Sequence, residues 1–209
     1  LKEMYQNVSN IDSAMVELKK VTDETDETYD KFLSGTNKKA QEIGTTITGL
    51  VSSTGDFARL GYTFEESQKL AETANIYAVV GDEISGVDEA TESIISTMKA
   101  FGIQANDSIS VVDKFNEVGN RFAISSGGIG EAMKRSASSM AAANNTIDET
   151  VALIAAANEI VQNPEKVGTA FKTISMRIRG VKTELEEAGL DTDGMADTTA
   201  KLQAEVKAL

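Results

Sequence analysis

The apolar residues of this chain recur at helical spacing from Met4 to Leu209, and a single proline, Pro164, stands against 16 glycines. Apolar side chains three and four positions apart share one face of a helix, whereas a half-buried strand needs strict alternation. Met4, Val8, Ile11, Met15 and Leu18 step by four, three, four and three, the seam spacing of a coiled coil. The register continues through Thr22, Thr25, Tyr29 and Phe32, weakened by two polar steps. A second, weaker helix is predicted over about residues 37–52, ending at the break Thr54-Gly55-Asp56.

Helix starts sharpen from Thr63 onward. Thr63-Phe64-Glu65-Glu66 and Thr146-Ile147-Asp148-Glu149 are capping boxes, in which threonine and glutamate each satisfy a free backbone N–H of the first turn. Ser85-Gly86-Val87-Asp88 is a similar start, and Asn106 and Ser126 are further candidate caps. Asn163-Pro164 ends one helix and opens the next, because proline disfavours helix at the residue before it and suits the first turn. Val167, Phe171, Ile174, Ile178 and Val181 then form a stripe, and Leu202, Val206 and Leu209 continue the pattern to the last residue.

The expectation is an all-α fold of nine or ten helices: an array of antiparallel helix pairs with a coiled-coil-like N-terminal helix and no β-sheet. Starts at Thr63, Asn106 and Thr146 lie 43 and 40 residues apart, a spacing compatible with stacked helix pairs of an α-solenoid. Three segments are expected: an N-terminal helical stretch over 1–54, a helical core over 55–190, and the start of a further helix over 191–209. The opening Leu1-Lys2-Glu3-Met4 is neither a signal peptide nor an ordinary initiator, so the chain reads as a piece of something longer. No stretch has the ~18 apolar residues of a membrane span.

Cysteine and histidine are both absent. That removes disulfide frameworks, the common zinc and iron sites, and every mechanism with a cysteine nucleophile or a histidine base. Aromatic residues make up only 5% and there is no Trp, so the core must be built from Ala, Val, Ile, Leu and Met. The net charge of −13 disfavours broad binding to a phosphate backbone.

Among possible sites, Asp191-Thr192-Asp193-Gly194 begins like a calcium loop, but glycine stands fourth rather than sixth and Leu202 holds the twelfth place of the bidentate glutamate. It reads as a turn. Gly127-Gly128-Ile129-Gly130 lacks the lysine of a phosphate loop and reads as a glycine-rich helix entry. Glu66-Ser67 and Glu92-Ser93 resemble the Glu-Ser pair of lytic transglycosylases, without that family's downstream Gly-Leu-Met-Gln. Ordinary capped surface helices account for both glutamates. No catalytic, cofactor or metal residues are therefore assigned.

Two surface features remain. The stripe Met4, Val8, Ile11, Met15 and Leu18 is the candidate for self-association. Lys166, Lys172, Arg177, Arg179 and Lys182 make one basic helix in an acidic chain. It is either a solvated face or a contact for an acidic partner, for acidic neighbours in its own assembly, or for DNA.

A longer string carries a family resemblance. Phe122-Ala123-Ile124-Ser125-Ser126-Gly127-Gly128-Ile129-Gly130-Glu131-Ala132-Met133-Lys134-Arg135 leads into a small-residue helix. Ala143-Asn144-Asn145-Thr146 follows, then Val167-Gly168-Thr169-Ala170-Phe171-Lys172-Thr173-Ile174, Arg177-Ile178-Arg179 and Gly189-Leu190-Asp191. Together with Phe57-Ala58-Arg59-Leu60-Gly61-Tyr62-Thr63 and Met98-Lys99-Ala100-Phe101-Gly102-Ile103, this resembles the core region of tail tape measure proteins of long-tailed bacteriophages and prophages.

The resemblance implies a non-enzymatic structural protein that sits in the lumen of the virion tail, sets tail length, and leaves ahead of the DNA on infection. Implied partners are further copies of itself, the tail tube protein, tail assembly chaperones in the host cytoplasm, and tail tip or baseplate proteins. It implies no cofactor and no membrane partner, and leaves DNA contact open. The alternative is an α-solenoid or coiled-coil interaction module of a bacterial surface or signalling protein. A carboxylate hydrolase acting on peptidoglycan is a third, weaker reading.

Overall fold

The computed structural model describes residues 2–192. Among them the chain is all-α, with nine α-helices, one short 3-10 turn and no strand. The helices are α1 (Lys2–Lys19), α2 (Asp26–Ile43), α3 (Ile47–Arg59), α4 (Phe64–Val80), α5 (Val87–Phe101), α6 (Ile109–Gly119), α7 (Ser126–Ala142), α8 (Ile147–Val161) and α9 (Pro164–Glu187). The helix expected around Leu202, Val206 and Leu209, and the Asp193-Gly194 turn, lie outside the described residues. The chain divides into two compact units. One comprises the residues up to Thr91 with Gln104–Val112, and the other comprises Glu92–Ile103 with the residues from Asp113 on.

In the first unit, the helical register does not run on from Leu18 to Phe32. The α1 helix stops at Lys19, and Thr22 turns its hydroxyl back onto the Leu18 carbonyl at 2.8 Å. Thr25 then caps α2 by accepting from the Thr28 N–H. Threonine and aspartate offer the backbone such local partners, so a Thr/Asp-rich stretch favours a cap over a continued helix. Tyr29 and Phe32 nevertheless join Ala14, Met15, Leu18 and Val51 in one buried cluster, because the turn folds α2 back beside α1. Phe64 packs edge-on to both rings.

The predicted helix over 37–52 is also redrawn. Its break falls at Gly44, whose φ of +83° is the left-handed conformation that ends many helices, and Thr46 caps the next start. Thr54, Gly55 and Asp56 lie inside α3, with the Thr54 hydroxyl bonded to the Leu50 carbonyl within the helix. Asn75 of α4 is fully buried against this helix. Its amide donates to Ser53 Oγ and the Ala71 carbonyl, while its oxygen accepts from Thr45 Oγ1 at 2.7 Å.

Both capping boxes form as expected, with Thr63 and Glu66 at α4 and Thr146 and Glu149 at α8. Two of the other candidate caps shift. Asn106 sits in the 3-10 turn and accepts from Lys69 instead of capping a helix. Ser125, not Ser126, caps α7. Phe122 lies beyond the end of α6 and is half exposed.

In the second unit, the closest contact joins α7 to α9, with α8 as the return between them. Gly128 lies against Pro164, Ala132 against Gly168, and Met140 against Ser175, so the two helices run in the same direction. At Gly168 the approach is extreme. A Cβ there would stand 2.6 Å from the Ala132 carbonyl oxygen and 2.8 Å from its Cα. Only glycine permits helix backbones to touch in this way.

Candidate functional site

Seen on the fold, the α1 stripe is not one surface. Leu18 is 1% exposed and Met15 is also buried, both in the first unit's own core. Ile11 packs partly against that core. Met4 and Val8 point to solvent at 67% and 62% exposure, joined by Tyr5 and Val16 on the same helix. The coiled-coil spacing was therefore recording two faces at once: the inner half belongs to α1 against α2 and α3, and only the outer half is open to another chain. Val8 and Val16 border a groove completed by Ile11, Met15, Tyr29 and Leu33, with Asp12, Lys19 and Asp30 on its rim.

The basic residues all lie on α9, as their spacing required. Lys166, Lys172, Arg177 and Arg179 are exposed and Lys182 is half-buried. None of the five makes an ion pair among the described residues, in contrast to the cations of α7. There Lys134 pairs with Glu131 and Glu92, and Arg135 with Glu131 and Glu165. The apolar stripe of α9 divides as the α1 stripe does. Val167 and Phe171 are buried, whereas Ile174 and Val181 are exposed. Ser175 takes the inward position that Ile174 was expected to fill, its hydroxyl donating to Met140 Sδ.

The glutamates singled out for carbohydrate chemistry do structural work. Glu66 accepts from the backbone N–H and hydroxyl of Thr63, and these bonds hold its carboxyl below the ordinary glutamate value. A general acid needs the opposite shift. Glu92 pairs with Lys134. Among the described residues no group of three acidic side chains is placed to hold a metal ion, and no helix is long and apolar enough to cross a membrane.

The glycine-rich entry of α7 is buried over Ser126–Gly130. Ser125 Oγ takes the Gly128 N–H, and Pro164 closes over the same glycine. The helix start is thus covered by the chain's own packing and holds no open cradle for an anion.

This gives the long sequence string a physical meaning. Gly127 to Arg135 and Val167 to Ile174 are the two facing surfaces of one helix crossing. Their glycines and alanines, Gly168 against Ala132 above all, are what let α7 and α9 meet at backbone distance. The string encodes a packing geometry. Sequence reasoning identified both strings but not that they face each other, because nothing in either one specifies a partner.

Comparison with known proteins agrees with that string. The family model described as phage-related minor tail protein matches residues 37–209. No solved structure matches the chain. The matched span covers the helices from within α2 through α9, including both sides of the Gly168 crossing. The chain belongs to the phage-related minor tail protein family.

Proposed function

We propose that this chain acts as a tail tape measure protein, a structural and non-enzymatic component that determines tail length during assembly. Membership of a phage tail family makes it a tail component. The observation that carries the finer reading is the extent of that match, residues 37–209, over a chain whose described residues are mostly helical. A ruler is built from chain length, and a helix supplies it at about 1.5 Å per residue. Tape measure function places the protein in the tail lumen, against the tube protein, with chaperones in the host cytoplasm before assembly and tip or baseplate proteins at one end. It leaves ahead of the DNA on infection. Copies associate with one another through the open half of the α1 stripe, Met4 and Val8.

Two compact units are shorter than one continuous helix, so the reading has a geometric consequence. Either each unit persists as a folded node along the ruler, or the helices straighten in the tube. Residues 64–182 as continuous helix would span on the order of 180 Å. An in-frame deletion of those residues, followed by electron microscopy of the tails, tests the proposal. Shortening by about that length supports an extended ruler, and a smaller uniform shortening supports folded nodes. Infectious particles with tails of unchanged length would refute tape measure function.

A further inference from the structure

Both open stripes carry one unpaired charge between apolar residues. On α1, Val8, Asp12 and Val16 are exposed at steps of four, and Asp12 has no ion-pair partner among the described residues. On α9, Ile174, Arg177 and Val181 are exposed at steps of three and four, and Arg177 likewise has none. Laid side by side in either direction, the two helices bring Arg177 opposite Asp12, with an aliphatic pair closing on each side. Asp30 stands on the same groove rim as Asp12, also exposed and without an ion pair among the described residues.

The surrounding charge follows the same sense. Residues 12–30 contain seven acids against two lysines, and residues 166–183 contain five cations and no acid. Like charges directly opposed destabilise a contact, and complementary fields fix its register. A phosphate backbone would account for the cations of α9, but not for Ile174 and Val181 set between them. A second α1 stripe would set Asp12 against Asp12.

We propose that the α1–α2 groove of one copy receives the Ile174–Val181 face of α9 from a second copy, held by Arg177 against Asp12 and Asp30. This rests on the self-association included in the proposed function and names both of its surfaces. The two surfaces differ, so copies either exchange the contact reciprocally in a pair or repeat it head-to-tail. A head-to-tail contact closes into a ring where the rotation between copies permits, and a ring suits a component seated around a tube axis.

The test uses the 209-residue chain with Asp12→Arg, Arg177→Glu and the double exchange, and reads mass against concentration by sedimentation equilibrium. Both positions are exposed, and circular dichroism checks that helix content is kept. The proposal expects the parent chain to self-associate, each single reversal to weaken association at least about tenfold, and the double exchange to restore most of it. A parent chain that stays monomeric, single reversals without effect, or a double exchange that fails to recover would each overturn it.

Because the chain has no cysteine, Val8→Cys chains mixed with Val181→Cys chains (the antiparallel alignment) or with Ile174→Cys chains (the parallel alignment) give a second readout, positive in one of the two mixtures. On mixing and oxidation, the unlike pair should predominate over either like pair. Predominance of Val8-to-Val8 disulfides would show an α1 seam and overturn the proposal. So would a chain carrying both changes that closes on itself at high dilution in preference to linking two chains. None of these masses depends on tail length, so failure here is separate from failure of the tape measure reading.

Discussion

Two glycines in the same helix should respond to the same substitution with opposite signs. In Gly168→Ala, the new Cβ would meet the Ala132 carbonyl oxygen at 2.6 Å, about 0.8 Å inside the 3.4 Å limit of ordinary contact. The Ala132 Cα at 2.8 Å and carbonyl carbon at 3.1 Å crowd the same point. All three are helix backbone, so no side-chain rotation relieves the clash and α9 must move away from α7. Overpacking of this kind costs about 1–3 kcal/mol. The helix preference of alanine over glycine offsets roughly 0.5–1 kcal/mol of it. The net expectation is a loss of about 1–2 kcal/mol.

Gly180 also lies within α9, but a Cβ there would meet nothing within 4 Å. Gly180→Ala should therefore retain only the helix preference and stabilise by roughly 0.5–1 kcal/mol. Urea unfolding followed by circular dichroism would measure the first change. Hydrogen exchange of the α7 and α9 amides would locate both. Faster exchange across α7 and α9 in Gly168→Ala, with slower exchange in the second half of α9 in Gly180→Ala, is the predicted result. If Gly168→Ala stabilises as Gly180→Ala does, the backbone contact at Ala132 is wrong, and with it the meaning assigned to the long string.

Three further outcomes follow from the local geometry. Thr146→Ala removes the side-chain acceptor of the α8 capping box and should lower stability by about 1 kcal/mol, measurable as a shift in the urea midpoint. Asn75→Ala leaves Thr45 and Ser53 without their buried partner and should cost about 1–3 kcal/mol, whereas Asn37→Ala, on an exposed face of α2, should change the midpoint little. Glu66 has its folded pKa held below the ordinary 4.5, so its contribution is present above that value and lost as pH falls through the folded one. The melting-temperature difference between the parent and Glu66→Gln should therefore be largest near neutral pH and shrink below pH 4.5; a difference that grows in acid would contradict the assigned sign.

Much of the fold was legible because helix starts are chemical. Thr63, Thr146 and Asn163-Pro164 announce their helices in a few residues, and each forms where the sequence puts it. The first 60 residues were less legible for a physical reason. Thr22 to Thr25 and Gly44 are punctuation, but the apolar period runs through them: Tyr29 and Phe32 stay in phase with Leu18 although they return to the same core on a different helix. Thr54-Gly55-Asp56 has turn composition yet lies within α3, where packing outweighs propensity.

The candidate surfaces were half legible. Periodicity identifies which residues share a face, but not whether the chain covers that face itself. Met4 and Leu18 satisfy one seam pattern and end at 67% and 1% exposure. On α9, Ser175 rather than Ile174 faces inward, against Met140 of α7, and no pattern of apolar residues in α9 alone records that partner.

Tape measure function, as proposed, converts chain length into tail length. Duplicating residues 64–182 in frame tests it most directly, since the added copy removes no native contact. Tails would be measured by electron microscopy beside those of the parent phage. Longer tails are expected, by on the order of 180 Å where the added chain runs as extended helix and by a smaller constant increment where it remains folded. Infectious particles that carry the duplicated protein and keep tails of the parent length would contradict it.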